Sequence, residues 1–279
     1  MGRINERTSW DYFIVGMAVH HSPGANSSRL QKVPFLPYRQ MKSNKHSVIY
    51  SIDTYGYTVQ FMKKSAFFDF FNRRELQSFD TFLSASTEDE DYINWNDFVL
   101  PHDYGDAEQE YRAIRESCAL FDVSPIRKFR IQGAGAASLL DHLLTRPVST
   151  APVMRGIYVA FCNDDGSLKD DSILYKFADD DYLLMPSDID HSDYFEHLRQ
   201  KLAIEASTLS IVDCTEDWAG VAIQGPLSAT VLVAMNFNGV EILKPFEVHR
   251  FQFGEDELLI ARMGFTADLG YEVWFKSGV

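Results

Sequence analysis

Cysteine is scarce in this chain. Only Cys118, Cys162 and Cys214 occur among 279 residues, with no CxxC and no tight spacing. An odd, sparse set argues against a disulfide framework and a structural zinc site. It fits buried thiols in a reducing compartment, cytoplasmic or, in a eukaryote, the mitochondrial matrix. Long apolar runs are also missing. The longest early one, Tyr12 to Val19, abuts Asp11 and falls well short of the ~20 residues of a membrane span. It is short for a signal peptide, and Glu6 stands where a myristoylation pattern at Gly2 needs Ser or Thr. Basic charge is the third shortage. Lys and Arg number 26 against 40 Asp and Glu, a net charge of -14. Such a chain repels phosphate backbones, so neither nucleic acid nor a membrane is expected as a partner.

What remains is a globular composition. Hydrophobic residues make up 46% of the chain, enough for a sizeable core and too many for a disordered chain. The charge is uneven: residues 1–62 carry 7 basic and 3 acidic side chains, and the rest carries the whole acidic excess. Texture changes at the same place. Residues 1–61 show no sustained period beyond an expected strand over Val48 to Tyr57. From Met62 the text MKKSAFFDFFNRRELQSF places Ala66, Phe67, Phe70 and Phe71 on one helical face. The expected organisation is therefore a segment of unknown role over 1–61 and a folded unit over 62–279.

Within that unit, SASTEDED (84–91) reads as a loop and residues 106–118 as a helix with a stripe of Ala107, Tyr111, Ile114 and Cys118. Residues 128–132 read as a strand and 136–145 as a helix. Strands are expected over 157–162, 172–177 and 182–185, then a helix from about Asp190. A strand over 218–224, a helix over 227–235, and strands over 248–253, 257–263 and 271–275 complete the series. The order strand, helix, strands appears twice, which predicts α+β with two intermixed α/β layers, not a doubly wound parallel sheet.

Several features suggest chemistry. Gly133-Ala-Gly135-Ala-Ala-Ser138 has the strand-to-helix context of a dinucleotide fingerprint. Its third glycine position is Ser138, and residues 147–163 hold no acid for a ribose. A tight turn is the better reading. Asp164-Asp165-Gly166 lacks calcium-loop spacing and reads as a solvated turn, so no metal is expected. Asp170-Asp171 is more informative. Alternation sets Asp171 on one face with Ile173, Tyr175 and Phe177, an inward carboxylate that must be paired or functional. Glu272 follows a loop with two glycines and shares a strand face with Trp274. A carboxylate there suits two N–H donors of a heterocycle such as an aminopyrimidinone; a plain hairpin with an edge glutamate is the alternative.

Four blocks in order carry a resemblance: LFDVS (120–124), IYVAFCNDDGSLKDDSILYKF (157–177), AIQGP (222–226) and ARMGFTADLGYEV (261–273). Over roughly residues 63–279 the chain resembles the glycine-cleavage T-protein family of folate-dependent aminomethyltransferases and demethylases. The resemblance implies a tetrahydrofolate cofactor in a central channel. It implies Asp171 as the catalytic carboxylate, Glu272 as the pterin anchor and Tyr158 as a cavity aromatic. Asp170, Ser187, Asp188, Phe265 and Arg262 would also bind the cofactor. The donor would be a cationic amine or sulfonium, or an aminomethyl group on a lipoyl carrier protein. Departures exist. Pro125 replaces the family's His, and Gly264-Phe265-Thr266-Ala267-Asp268 replaces GYTGE. Met185 to Asp190 and HRFQFGEDELLIAR (249–262) look more like the dimethylsulfoniopropionate demethylase branch. The family normally continues into a C-terminal β-barrel, so a truncated unit is expected. The rival expectations are a non-catalytic folate-binding accessory protein of the iron–sulfur assembly type and an inactive fragment.

Overall fold

The computed structural model describes residues 47–53, 56–67, 92–102, 106–187 and 189–277. The loop expected at 84–91, most of the helix expected after Met62, and Asp188 lie outside the described residues.

Strands β1 (Ser47–Asp53) and β2 (Gly56–Lys64) form an antiparallel hairpin, and β3 (Tyr92–Trp95) and β4 (Phe98–Pro101) form another; β2 and β4 pair in parallel. Met62 to Lys64 thus continue a strand that runs through the expected boundary at 61/62, instead of opening a helix. Among the described residues this sheet meets the main body at Asn96, which donates to the Pro125 carbonyl and accepts from Arg127, both at 2.7 Å, and around Ser65. Ser65 Oγ donates to the buried Asp122, Phe67 packs edge-on against Phe275, and Lys63 pairs with Glu216 at 2.7 Å.

Helix α1 (Ala107–Glu116) is capped by Asp106, whose carboxylate accepts from Gln109 N at 3.0 Å. None of its residues is buried, and Tyr111 is exposed. Of the expected apolar stripe, Cys118 packs against the second sheet's core and Ile114 is part-buried, while Ala107 and Tyr111 face solvent. The helix is also held through Arg115, which donates to the Thr266 carbonyl.

Two units of like order follow. The first is β6 (Phe129–Gln132), α2 (Ala136–Leu143), β7 (Arg155–Cys162), β8 (Leu168–Ala178) and β9 (Asp181–Pro186), with α3 (Ser192–Lys201) after it. The second is β11 (Trp218–Gln224), α4 (Ser228–Ala234), β12 (Val248–Phe253), β13 (Asp256–Ala261) and β14 (Gly270–Lys276). Their strand orders correspond: β6-β9-β8-β7 and β11-β14-β13-β12, antiparallel throughout. Each sheet gains a fifth strand from the chain leading into the other unit. β5 (Ala119–Asp122) joins β11, and β10 (Ser210–Asp213) joins β6.

In the two units, alternation divides the central strands between two cores. On the first sheet, Phe129, Ile131, Val159, Phe161, Leu174 and Leu184 pack under Leu139, Leu140, Leu143, Phe195 and Leu198 of α2 and α3. On the second, Val221, Ile223, Ile260, Tyr271, Val273 and Phe275 pack with Leu232 of α4. The opposite faces share a third cluster, including Tyr175, Leu183, Met185, Ala222, Leu259, Ala261 and Trp274. Asp171 and Glu272 lie on this shared inner face. Among the described residues no helix is long and apolar enough to cross a membrane.

The decoys resolve as turns. A side chain at Gly133 (φ +109°) would collide with the Thr208 carbonyl, and one at Gly135 with Ile204. In the acidic turn, Asp165 accepts from Ser167 N and Oγ at 2.9 and 2.6 Å, a local Asx arrangement.

Candidate functional site

Glu272 sits on β14 with its side chain on the inner face, as does Trp274 two residues on. It is 8% exposed. Trp274 Nε1 and Tyr175 Oη each donate to Oε2 at 3.2 Å. Oε1 accepts no hydrogen bond among the described residues. Burial pushes the Glu272 carboxyl pKa above its usual value; the bonds from Trp274 and Tyr175 and the charge of Lys128 offset only part of that. The glutamate is interior, which rules out the plain edge-hairpin alternative.

Tyr175 comes from β8 in the other sheet, so the two units meet at this carboxylate. Two glycines make the meeting possible. Gly220 lies directly across β11–β14 from Trp274, and Gly156 directly across β7–β8 from Tyr175. A Cβ at Gly220 would overlap the Trp274 ring, and one at Gly156 would lie 3.1 Å from the Tyr175 ring. Each aromatic ring lies over a glycine in place of a neighbouring side chain.

Asp171 shares its face with Ile173, Tyr175 and Phe177, as alternation requires, but it is only half-buried. It lies four residues from Tyr175, about 13 Å along the strand, and Tyr158 Oη donates to its Oδ2. That bond raises the Tyr158 pKa. Tyr158 is 52% exposed, so this pair forms a rim, not a floor. The carboxylate taken out of water on this strand is its neighbour. Asp170 points to the helix-covered face at 8% exposure. His191 Nε2 and Ser187 Oγ lie 2.7 Å from its Oδ2, and Asp171 N donates to its Oδ1 at 2.8 Å. Burial raises the Asp170 pKa, but these bonds outweigh it and leave the pKa below its usual value. Asp170 and Ser187 therefore fix the backbone that carries Asp171; neither faces the inner surface.

The remaining residues picked from sequence scatter. Phe265 is 61% exposed and meets Phe121 edge-on at 5.2 Å. Arg262 Nη1 donates to the Leu243 carbonyl at 2.6 Å. The AIQGP and GFTADLG blocks interlock: buried Gln224 accepts from Thr266 Oγ1 at 3.1 Å, and side chains at Gly264 or Gly270 would collide with it. A cleft of about 570 Å³ also opens between the sheets, lined by Arg130, Phe177, Trp218, Arg250 and Lys276 among others. None of the site residues picked from sequence lines it.

Sequence reasoning missed Lys128 and His191. Lys128 is fully buried; its Nζ donates to the carbonyls of Ser124 and Ile126 at 2.8 and 2.6 Å and lies 4.9 Å from the centre of the Trp274 ring. Burial lowers its pKa to about 7 against the opposing pull of Cys214, Asp122, Asp213 and Glu272. The signal was available: alternation with Phe129 and Ile131 outward places Lys128 on the inner face.

Two matched four-stranded units closing on one polar inner face define the class, an α+β domain of internally repeated architecture. A family model described as the GCVT N-terminal domain matches residues 86–278, and the chain belongs to that family. It is 30% identical over 186 residues to an aminomethyltransferase of Bacillus pumilus, covering 66% of this chain and 50% of that protein. It is 31% identical over 196 residues to a trimethylamine-oxide aldolase of Ruegeria pomeroyi, covering 66% of this chain and 24% of that protein. The glycine cleavage system aminomethyltransferase T of Bartonella henselae has the same fold, with a TM-score of 0.57 at 21% identity over 66% of this chain and 49% of that one. The chain spans about half the length of the aminomethyltransferases it matches.

Proposed function

We propose that this chain forms the folate-binding part of a tetrahydrofolate-dependent one-carbon transferase, which takes a methyl or methylene group from a cationic amine or sulfonium. The observation that carries this reading is Glu272, a carboxylate buried on the face that also bears Asp171, whose Oε1 has no protein donor among the described residues. An open acceptor on a carboxylate held by an indole and a phenol is a bonding position, and the N–H edge of a reduced pterin fits it. Family membership and the relatives named aminomethyltransferase support the same chemistry.

Bound tetrahydrofolate supplies the amine that receives the one-carbon unit. Glu272 would hold the pterin edge, with Trp274 and Tyr175 fixing the orientation of its carboxylate. Asp171, at the rim, would take a proton at its carboxylate or hydrogen-bond the cationic donor. Tyr158 and Phe265 offer exposed rings to a cation. The Ruegeria pomeroyi relative, named for trimethylamine oxide, favours a methylated amine as donor. An aminomethyl-lipoyl carrier protein is the macromolecular alternative.

Tetrahydrofolate titration followed by tryptophan fluorescence tests the placement, because Trp274 touches Glu272. Glu272→Ala is expected to weaken binding by tenfold or more, a loss of about 1.4 kcal/mol. Asp171→Asn is expected to keep binding and lose turnover. Equal, tight binding by wild type and both variants would reject the site.

A further inference from the structure

Lys128 and Glu272 are both buried, and neither makes an ion pair among the described residues. Both touch one indole ring. The ammonium lies over the Trp274 face, and the indole N–H donates to the glutamate. The donors and acceptors around Lys128 fit its protonated form, and the indole beside Glu272 fits an ionised carboxylate. Lys128 Nζ meets two carbonyl oxygens and a π face, three acceptors for the three N–H bonds of an ammonium. Glu272 Oε2 accepts from the Trp274 indole, a group that can only donate, and lies 3.2 Å from Tyr175 Oη, whose single proton also has Met263 Sδ within reach at 2.7 Å.

We propose that Lys128 is the buried cation that keeps Glu272 ionised at neutral pH and so sets the affinity of the site for a reduced folate. It is a positioning residue that acts on the carboxylate beside the shared indole and touches no ligand itself. The ligand half of this inference rests on the folate reading; the charge half stands without it. Other charges bear on Lys128 as well. Asp122 is engaged by Ser65 and Ser124, Asp213 by Arg127 and Thr215, and Cys214 donates to the Lys128 carbonyl. None of them contacts the ammonium. Burial lowers the Lys128 pKa to about 7 and raises that of Glu272, so each group's charge depends on the other's.

The test is the pH dependence of 5-formyltetrahydrofolate binding to the full 279-residue chain. In wild type, binding falls on acidification as Glu272 takes up a proton, and Glu272→Gln lacks that limb. Lys128→Met removes the ammonium and keeps the length of the side chain. It is expected to move the acid midpoint up by about one pH unit, roughly tenfold weaker binding on the acid side. Lys128→Arg, which keeps the charge, is expected to leave the midpoint in place. An unmoved midpoint in Lys128→Met overturns the inference.

Lys128→Met also leaves the Ser124 and Ile126 carbonyls without a donor and can fail to fold. A second measurement avoids that variant. The infrared difference between wild type and Glu272→Gln at pH 7 is expected to contain carboxylate bands only. A protonated-carboxyl band assigned to Glu272 overturns the inference. Wild type that binds no reduced folate at any pH defeats the folate reading, and the infrared band then decides the Lys128 inference alone.

Discussion

The two β-α-β-β-β units share one strand order but present different inner surfaces. The first unit turns Lys128, Arg130 and Tyr175 toward its partner and carries Asp171 at the rim. The second turns Gly220, Ala222 and Ala261, with Trp274 and Glu272 lying against that shallow floor. Reaching side chains face small ones, so an aromatic from each unit can meet on a single carboxylate. The outer faces show no such contrast; both are aliphatic and aromatic surfaces covered by helices. Selection on the fold thus acts on the outer faces alike, and the chemistry is written in the asymmetry of the inner ones.

The largest test of that asymmetry is a pair of glycine substitutions. Gly220→Ala drives a Cβ into the Trp274 ring, which is pinned by Lys128 and Glu272 and has no room to withdraw. A loss of about 3 kcal/mol in urea unfolding is expected, the upper part of the overpacking range. Gly156→Ala makes a 3.1 Å approach to the edge of Tyr175, which a small ring shift relieves; about 1 kcal/mol is expected. Equal losses would mean that the two glycine–aromatic pairs are equally rigid and that the inner surfaces are not specialised.

Next come the two buried carboxylates, one outside the first sheet and one inside the second, whose pH slopes have opposite sign. Asp170→Ala leaves His191, Ser187 Oγ and Asp171 N without their acceptor, at a cost of about 2 kcal/mol near neutral pH. The folded pKa of Asp170 is below its ordinary 3.8, so its contribution is present above that value and fades as pH falls through the folded pKa. The gap between Asp170→Ala and wild type should therefore narrow in acid. Glu272 is raised above its ordinary 4.5, so its contribution is full below 4.5 and is lost as pH rises through the folded pKa. Glu272→Gln should gain on wild type from acid toward neutrality, the opposite sense to Asp170→Ala. Thermal unfolding across pH 3–8 reads both slopes. Slopes of the same sign would break the contrast between the two carboxylates.

Much of this was legible in the residues. Periodicity placed β11 and β12 at their observed bounds, and it grouped Asp171 with Tyr175 and Glu272 with Trp274 on their correct faces. What alternation cannot give is depth. Asp170 and Asp171 differ by one position, and the strand's edge, not its period, decides that the first is buried under α3 while the second meets water. The exchanged strands β5 and β10 were also hidden, because four-residue segments such as ALFD carry too few turns of any period. The apolar stripe expected for α1 held only at its C-terminal end, at Ile114 and Cys118, because amphipathic spacing shows that a face exists, not how much of it is covered. Lys128 opened the strand expected over 128–132 and was given no role, although its parity pointed inward.

The smallest effect belongs to the rim. Tyr158→Phe removes a hydroxyl that donates to Asp171 where both side chains touch solvent. Water takes over the bond, so stability should change by less than about 0.5 kcal/mol. The same change in the interior would be costly: Tyr175 Oη is buried, and Tyr175→Phe leaves Glu272 with one donor fewer, worth about 1.5 kcal/mol for a bond to a charged group. Turnover should follow the same order, with Tyr158→Phe slowed only about threefold if the hydroxyl merely steers the Asp171 carboxylate. Steady-state rates with tetrahydrofolate and a methylated amine check this. A loss beyond a hundredfold would make Tyr158 a reacting group in its own right, and the functional weight would then lie at the solvent-facing edge of the first unit and not at the carboxylate between the two.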